Sequence, residues 1–211
     1  MLVDNATKKK LKEKYKDEQV FVVPFDSVKH IKDKFTPSDD SIKSLDLYDN
    51  MGRYILRYDA EYNPSFQQLI PYVLITDKTG EKYYVSKRIA GDSRLLQNLS
   101  LGFGGHINPC DGHAAVILNA LYRELNEEVA IDMVKDSVEF LGYVRDLTST
   151  TPDHLGFVFT VKANYVKIKE DNVLEGFWMT KKELIDNYFH FEGWAKYIID
   201  YFFESEENNE G

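Results

Sequence analysis

Short apolar runs broken by turn residues dominate the middle of the chain. Gln68 to Thr76 reads QLIPYVLIT and Glu81 to Ile89 reads EKYYVSKRI; the DKTG between them predicts a hairpin that turns at Gly80. Pro71 has no N–H for a ladder, so the first run is expected to begin at a sheet edge or to hold a bulge. Val138–Val144 and Leu155–Ala163 read as two further strands joined through TSTTPD, and FWM at 177–179 as an aromatic one. Before the hairpin, Gln19–Pro24 is a short strand closed by proline, and Phe25–Phe35 a turn followed by a short amphipathic helix. Thr7–Asp17, with alternating charges, reads as a solvated helix; Ser41–Tyr58 mixes periods and predicts no element, and Arg57–Gln68 is a polar connection.

Helical spacing takes over after Asp111. Ala114, Ile117, Leu118, Leu121, Leu125 and Val129 form an apolar stripe, the mark of a helix docked on a core. Beside it, Glu124, Glu127 and Glu128 stand at i, i+3 and i+4, which at about 3.6 residues per turn puts three carboxylates on one face. Like charges at that spacing repel, and a divalent cation would relieve the repulsion. Gly104 and Gly105 precede the helix, where the absence of a side chain lets backbone approach a ligand, so a carbonyl such as that of Gly105 can join the carboxylates. An all-oxygen set favours Mg²⁺ or Mn²⁺ over Zn²⁺. At the C-terminus, Thr180 with Glu183 forms a capping box and Trp194–Phe203 reads as an apolar-rich helix, followed by the polar, acidic Glu204–Gly211.

The run Arg123-Glu124-Leu125-Asn126-Glu127-Glu128, with Ile131 beyond it, resembles the second half of the Nudix hydrolase signature. The first half departs from it: counting back puts the signature's first Gly on Pro109 and its first Glu on Ala115, while its later Gly falls on Ala130. LGFGGHINPCDG looks like a lengthened version of the family's loop, similar to a branch of predicted phosphoesterases of the MutT type. The resemblance implies an α/β/α sandwich with a mixed β-sheet, residues 67–203 forming the hydrolase domain and residues 1–66 an extension packed on it; the polar, acidic composition of 204–211 reads as a disordered tail. It further implies that Glu124, Glu127 and Glu128 hold the metal and that Arg123 orients one of them. Catalysis would be hydrolysis of a phosphoanhydride in a nucleoside diphosphate derivative or related small molecule. Arg88, Arg94 and His106 are the substrate-binding candidates, and Glu175, read as lying in a loop ahead of Trp178, the candidate general base, with Glu170 the more distant alternative. His106, Asn108 and Asp111 are the loop groups available to replace the carboxylate missing at Ala115. The competing reading is a Nudix-fold binding or regulatory module that lost catalysis with that carboxylate.

Composition narrows the partners. A length of 211 residues with 43% hydrophobic residues suits one large domain, and a net charge of −9 argues against a general nucleic-acid binder. The single cysteine, Cys110, excludes an intramolecular disulfide and has no nucleophile pattern around it. With no apolar run long enough to span a membrane and no signal-peptide pattern, a cytoplasmic protein is expected, with a homodimer as a common assembly and no nucleic-acid or membrane partner.

Overall fold

The computed structural model describes residues 4–90 and 98–207, with 203–207 as backbone. Helix α1 (Asn5–Tyr15) starts at Asp4, whose carboxylate accepts the Thr7 N–H at 2.8 Å, and leads into β1 (Gln19–Pro24). The next stretch is not the amphipathic helix expected up to Phe35. A single helical turn, α2 (Phe25–Val28), gives way to strand β2 (Lys34–Pro37): Lys34 takes a left-handed φ of 68°, which bars a helix from running on to Phe35, and Phe35 and Thr36 pair with Val144 and Tyr143. The mixed stretch after it resolves into a 3-10 turn at 42–45, α3 (Asp46–Met51), β3 (Arg53–Leu56) and α4 (Arg57–Ala60). The hairpin forms as expected from β4 (Phe66–Thr76) and β5 (Lys82–Arg88), with β6 (Leu99–Ser100) beside β5.

A 3-10 turn at 109–111 precedes α5 (Val116–Glu128), which runs directly into β7 (Val129–Met133). Val129 was expected on the helix stripe, but it opens a strand: the β-branched residues Val129 and Ile131 pair with Ile168 and Val166 of a long later strand. Then come β8 (Glu139–Arg145), β9 (His154–Ile168), β10 (Leu174–Thr180), α6 (Lys181–Asp186) and α7 (Gly193–Glu207). The capping box at Thr180 and Glu183 is present, and α7 continues into the acidic stretch that the sequence leaves without an element.

The main sheet is mixed, in the order β10-β5-β4-β9-β8-β2, with β4 and β9 parallel over 68–76 and 154–162. Strand β1 adds to the start of β4 and carries β3, so residues before 66 share the sheet. Strand β4 is therefore internal, against the expectation that Pro71 marks an edge or a bulge. Val73 exchanges backbone bonds with Phe103 at 2.8 and 3.0 Å, and by strand alternation Pro71 faces that same glycine-bearing segment. The proline thus removes no bond from the β4–β9 ladder. One face of the sheet packs against α5 through Ile117, Leu121 and Leu125, and the other packs Leu74, Val85 and Val158 against Ile198 and Ile199 of α7. The result is the α/β/α arrangement, with α5 held rigidly along one side. Among the described residues no helix is long and apolar enough to cross a membrane.

Candidate metal and catalytic centre

Burial of Ile117, Leu121 and Leu125 fixes the rotation of α5, and with it the adjoining face that carries Arg123, Glu124, Glu127 and Glu128. The helix begins at Ala115, which has a left-handed φ of 52°; the N–H groups of Ala115 and Val116 both donate to the carboxylate of Asp49 on α3. Ala115 thus caps the far end of the helix, nine residues and about 13.5 Å of helical rise from Glu124. The register counted back along the sequence does not hold in space.

The supporting carboxylate comes instead from Asp111. Buried to 4% exposure, it takes a two-pronged contact from Arg123, with Nε donating at 2.8 Å and Nη2 at 2.9 Å. The rest of the guanidinium donates to the His106 carbonyl at 2.8 Å, to Glu124 at 2.7 Å and to Glu127 at 3.3 Å. These partners, Asp111 first, hold Arg123 even more firmly charged than an ordinary arginine. One planar cation therefore ties the glycine-bearing loop to two of the three glutamates. Asn108 completes the loop geometry: its N–H donates to Asp111, in a capping box around the 3-10 turn.

The two loop glycines have separate reasons. A Cβ on Gly104 would drive into the backbone carbonyl of Pro71, so this glycine is required by the approach of loop to strand. A Cβ on Gly105 would lie 2.5–2.7 Å from the Glu124 carboxylate, so this one leaves room for the carboxylate and anything bound to it. Gly105→Ala is accordingly expected to keep the melting temperature of the metal-free protein while weakening divalent-metal binding by at least about 10-fold. Gly104→Ala should lower the melting temperature itself. Calorimetric metal titration beside thermal melts separates the two, and equal metal affinity in Gly105→Ala would remove this role for Gly105.

The glutamates are not mutually neutralised. Burial pushes the Glu124 carboxyl up, against the pull of Arg123. Burial, and then the charges of Glu124, Glu127 and Glu170, push Glu128 up to about 7. Among the described residues only Arg123 brings a positive charge into contact with the cluster. Glu170 is here because the loop after β9 is stitched to the end of α5: the Lys169 N–H donates to the Glu128 carbonyl at 3.0 Å. The turn then closes with Val173 and Leu174 donating to the Glu170 carbonyl, so β10 begins at Leu174. Glu175 is consequently not in a loop. It sits exposed within β10, opposite Lys87 of β5, and among the described residues it is Glu170 that acts electrostatically on the triad. Arg88 ends β5 opposite Leu174, with no described contact to the glutamates, and Arg94 lies outside the described residues.

Beside the glycines opens a cleft of about 510 Å³, lined among others by Tyr72, Gly104, Gly105, His106, His154 and Trp194. Burial pushes the Tyr72 hydroxyl up to about 12. Tyr72 and Trp194 meet edge to face, their centroids 5.7 Å apart. His106 lines the cleft with Nε2 3.0 Å from Nε2 of His154; burial, then Arg57, push it down to about 3. His154, Asp153 and Glu61 were missed from sequence. The only local signal was a charged pair, Asp153-His154, at the point where a turn enters a buried strand.

No protein-family model matches the chain. Protein YmaB of Bacillus subtilis is 34% identical over 202 residues, covering 87% of this chain and 97% of that protein. The crystal structure of DR0079 from Deinococcus radiodurans shares the fold, with a TM-score of 0.50 and 16% identity over 70% of this chain and 89% of that one. The crystal structure of Tm1382, a candidate Nudix hydrolase, matches with a TM-score of 0.75 and 30% identity, covering 88% of this chain and 98% of Tm1382. With that fold in common and that identity along nearly all of Tm1382, this chain belongs to the Nudix hydrolase superfamily.

Proposed function

We propose that the protein is a metal-dependent pyrophosphohydrolase that cleaves a phosphoanhydride bond in a nucleoside diphosphate derivative or a related phosphorylated small molecule. The observation that carries this reading is the charge imbalance at the end of α5: Glu128 is pushed to about 7 by its own burial and by three neighbouring carboxylates. A hard dication suits that donor set, since every candidate donor is oxygen and glycine at 105 keeps a Cβ off the Glu124 carboxylate, whose side-chain partner is Arg123 at 2.7 Å. Glu124, Glu127 and Glu128 would hold Mg²⁺ or Mn²⁺, with the Gly105 carbonyl as a further ligand. When bound, such an ion supplies charge neutralisation on phosphate oxygens and an acidified water.

The chain's own groups do the rest. Arg123, braced by Asp111, sets the positions of Glu124 and Glu127. Glu170 adds its negative charge to the field on Glu128, and these two carboxylates are the candidate proton acceptors for an attacking water. Tyr72 and Trp194 present aromatic surface to an organic group in the cleft. The reading as a non-catalytic module rests on the missing carboxylate at Ala115, and the Arg123–Asp111 contact favours the hydrolase reading over it by offering another carboxylate.

The test is product release from nucleoside diphosphate derivatives, dinucleoside polyphosphates and nucleoside triphosphates with Mg²⁺ or Mn²⁺. Turnover on one class that stops when a chelator is added supports the reading. Metal binding without turnover on any of them would return the module reading to first place.

A further inference from the structure

A second cluster of donors, separate from the α5 glutamates, meets behind the cleft. Glu61 follows α4, His106 lies in the glycine loop and His154 is the first residue of β9; one ligand atom from each lies within 4.8 Å of the others. Glu61 and His154 are buried, and both histidines line the cleft.

The hydrogen bonds fix how these groups are presented. Asp153 Oδ2 accepts the Tyr62 N–H at 2.7 Å and the Gln68 amide at 2.9 Å, leaving Oδ1 facing His154 Nδ1 at 3.2 Å. A carboxylate held this way only accepts, so His154 carries its proton on Nδ1 and has a bare lone pair on Nε2. That lone pair points at His106 Nε2, 3.0 Å away. Two imidazole nitrogens on one tetrahedral Zn²⁺, each at about 2.0–2.1 Å, would stand about 3.3 Å apart, so the pair needs only a small opening and a tautomer change at His106. The Asp153–His154 contact is the carboxylate–histidine brace that usually stands behind metal-bound histidines.

Charge is also provided. Arg57 is the nearby cation, but it is tied to Glu18 at 2.7 Å and to Glu61 at 3.0 Å, so Glu18, Glu61 and Asp153 together outweigh it and leave the surroundings net negative. The Arg57 contact uses Glu61 Oε1 and leaves Oε2 for a ligand.

We infer that Glu61, His106 and His154 form a metal site of their own, for a borderline transition-metal dication such as Zn²⁺, with an open position on the cleft that takes an anionic oxygen. Mixed nitrogen and carboxylate donors select this class of ion, whereas the all-oxygen glutamate centre selects Mg²⁺ or Mn²⁺. Three protein ligands with the cleft on the fourth side is the arrangement of an open site. Among the described lining residues the cleft has Asp146 and Glu192 and no lysine or arginine, so a cation here supplies the positive charge that an anionic group entering it needs.

The experiment is titration of the metal-stripped full chain with Co²⁺, read by visible absorption and competed with Zn²⁺. The expected result is one tightly held Co²⁺ with the intense bands of a four- or five-coordinate nitrogen-containing site, displaced by Zn²⁺ and retained in Glu127→Gln. Affinity should fall at least about 10-fold in His154→Gln and in His106→Gln. No such band in the wild type, or a band lost in Glu127→Gln and kept in both histidine variants, overturns the site. Should a histidine variant fail to fold, ring-nitrogen NMR of the wild type decides: Zn²⁺ shifts at two histidines support the site, and unchanged rings overturn it. Adding inorganic phosphate to the Co²⁺-loaded protein should change the bands, and an unchanged spectrum overturns the open position. Since no arm reads turnover, failure here is distinguishable from failure of the hydrolase reading.

Discussion

Glu128→Gln is expected to lower metal-dependent turnover by more than about 100-fold, because even outer partners of metal ligands are worth about 10–100-fold and this residue is both a ligand candidate and a candidate proton acceptor. The same substitution should make the metal-free protein more stable near neutral pH. The Glu128 carboxyl is raised from 4.5 in the unfolded chain to about 7 in the folded one, by burial and then by Glu124, Glu127 and Glu170. Between those values the folded state binds the extra proton, so stability is fully present below about 4.5 and is lost as pH rises through about 7. Melting curves of the metal-free wild type should therefore fall over this window, and those of Glu128→Gln should fall less. Saturating Mg²⁺ should restore the wild type at neutral pH and do little for the variant. A variant that keeps full turnover, or one whose melting temperature follows pH as the wild type's does, would remove Glu128 from the centre.

Asp111→Ala should be the most damaging substitution in the loop. It leaves the Arg123 fork without its main partner, and the Asn108 N–H without an acceptor, at a position only 4% exposed. Breaking a buried pair from one side costs about 3–5 kcal/mol, and since Arg123 keeps Glu124 and Glu127 the expectation is the lower end, about 3 kcal/mol. At roughly 2–4 °C per kcal/mol for a chain of this size, the melting temperature should drop by roughly 6–12 °C. Arg123, drawn wholly onto the glutamates, would compete with metal for them, so activity should fall about 10–100-fold even below the melting transition. Ala115→Glu, in contrast, should restore nothing, because that residue caps the opposite end of α5 in a left-handed conformation. A gain of activity in Ala115→Glu with little effect from Asp111→Ala would reverse this assignment.

The two halves of the Nudix signature differed in legibility for a physical reason. Arg123 to Glu128 lie within two turns of one helix, where sequence spacing is spatial spacing, and the glutamates and arginine were readable as a unit. The preceding carboxylate is presented by a loop, and a loop's length does not fix where its side chains arrive; Asp111 reached Arg123 by way of a 3-10 turn and a capping box that no counting rule reveals. The same limit separated Glu170 from Glu175. Proximity to Trp178 favoured the second, while the backbone bond from Lys169 to Glu128 placed the first beside the triad.

Local chemistry therefore determined by itself the hairpin at Gly80, the strand at 19–24, the stripe and acidic face of α5 and the cap at Thr180, since each depends on residues a few positions apart. What lay between elements was decided only by the tertiary structure. Pro71 is tolerated in an internal strand because its backbone faces the glycine segment rather than the β9 ladder, and Val129 leaves the helix because β9 offers it a partner. Glu61, His106 and His154 come together because β4 and β9 run side by side and the loops at their ends converge, a meeting of distant residues that the free energy of the whole packed sheet selects and that no local pattern encodes.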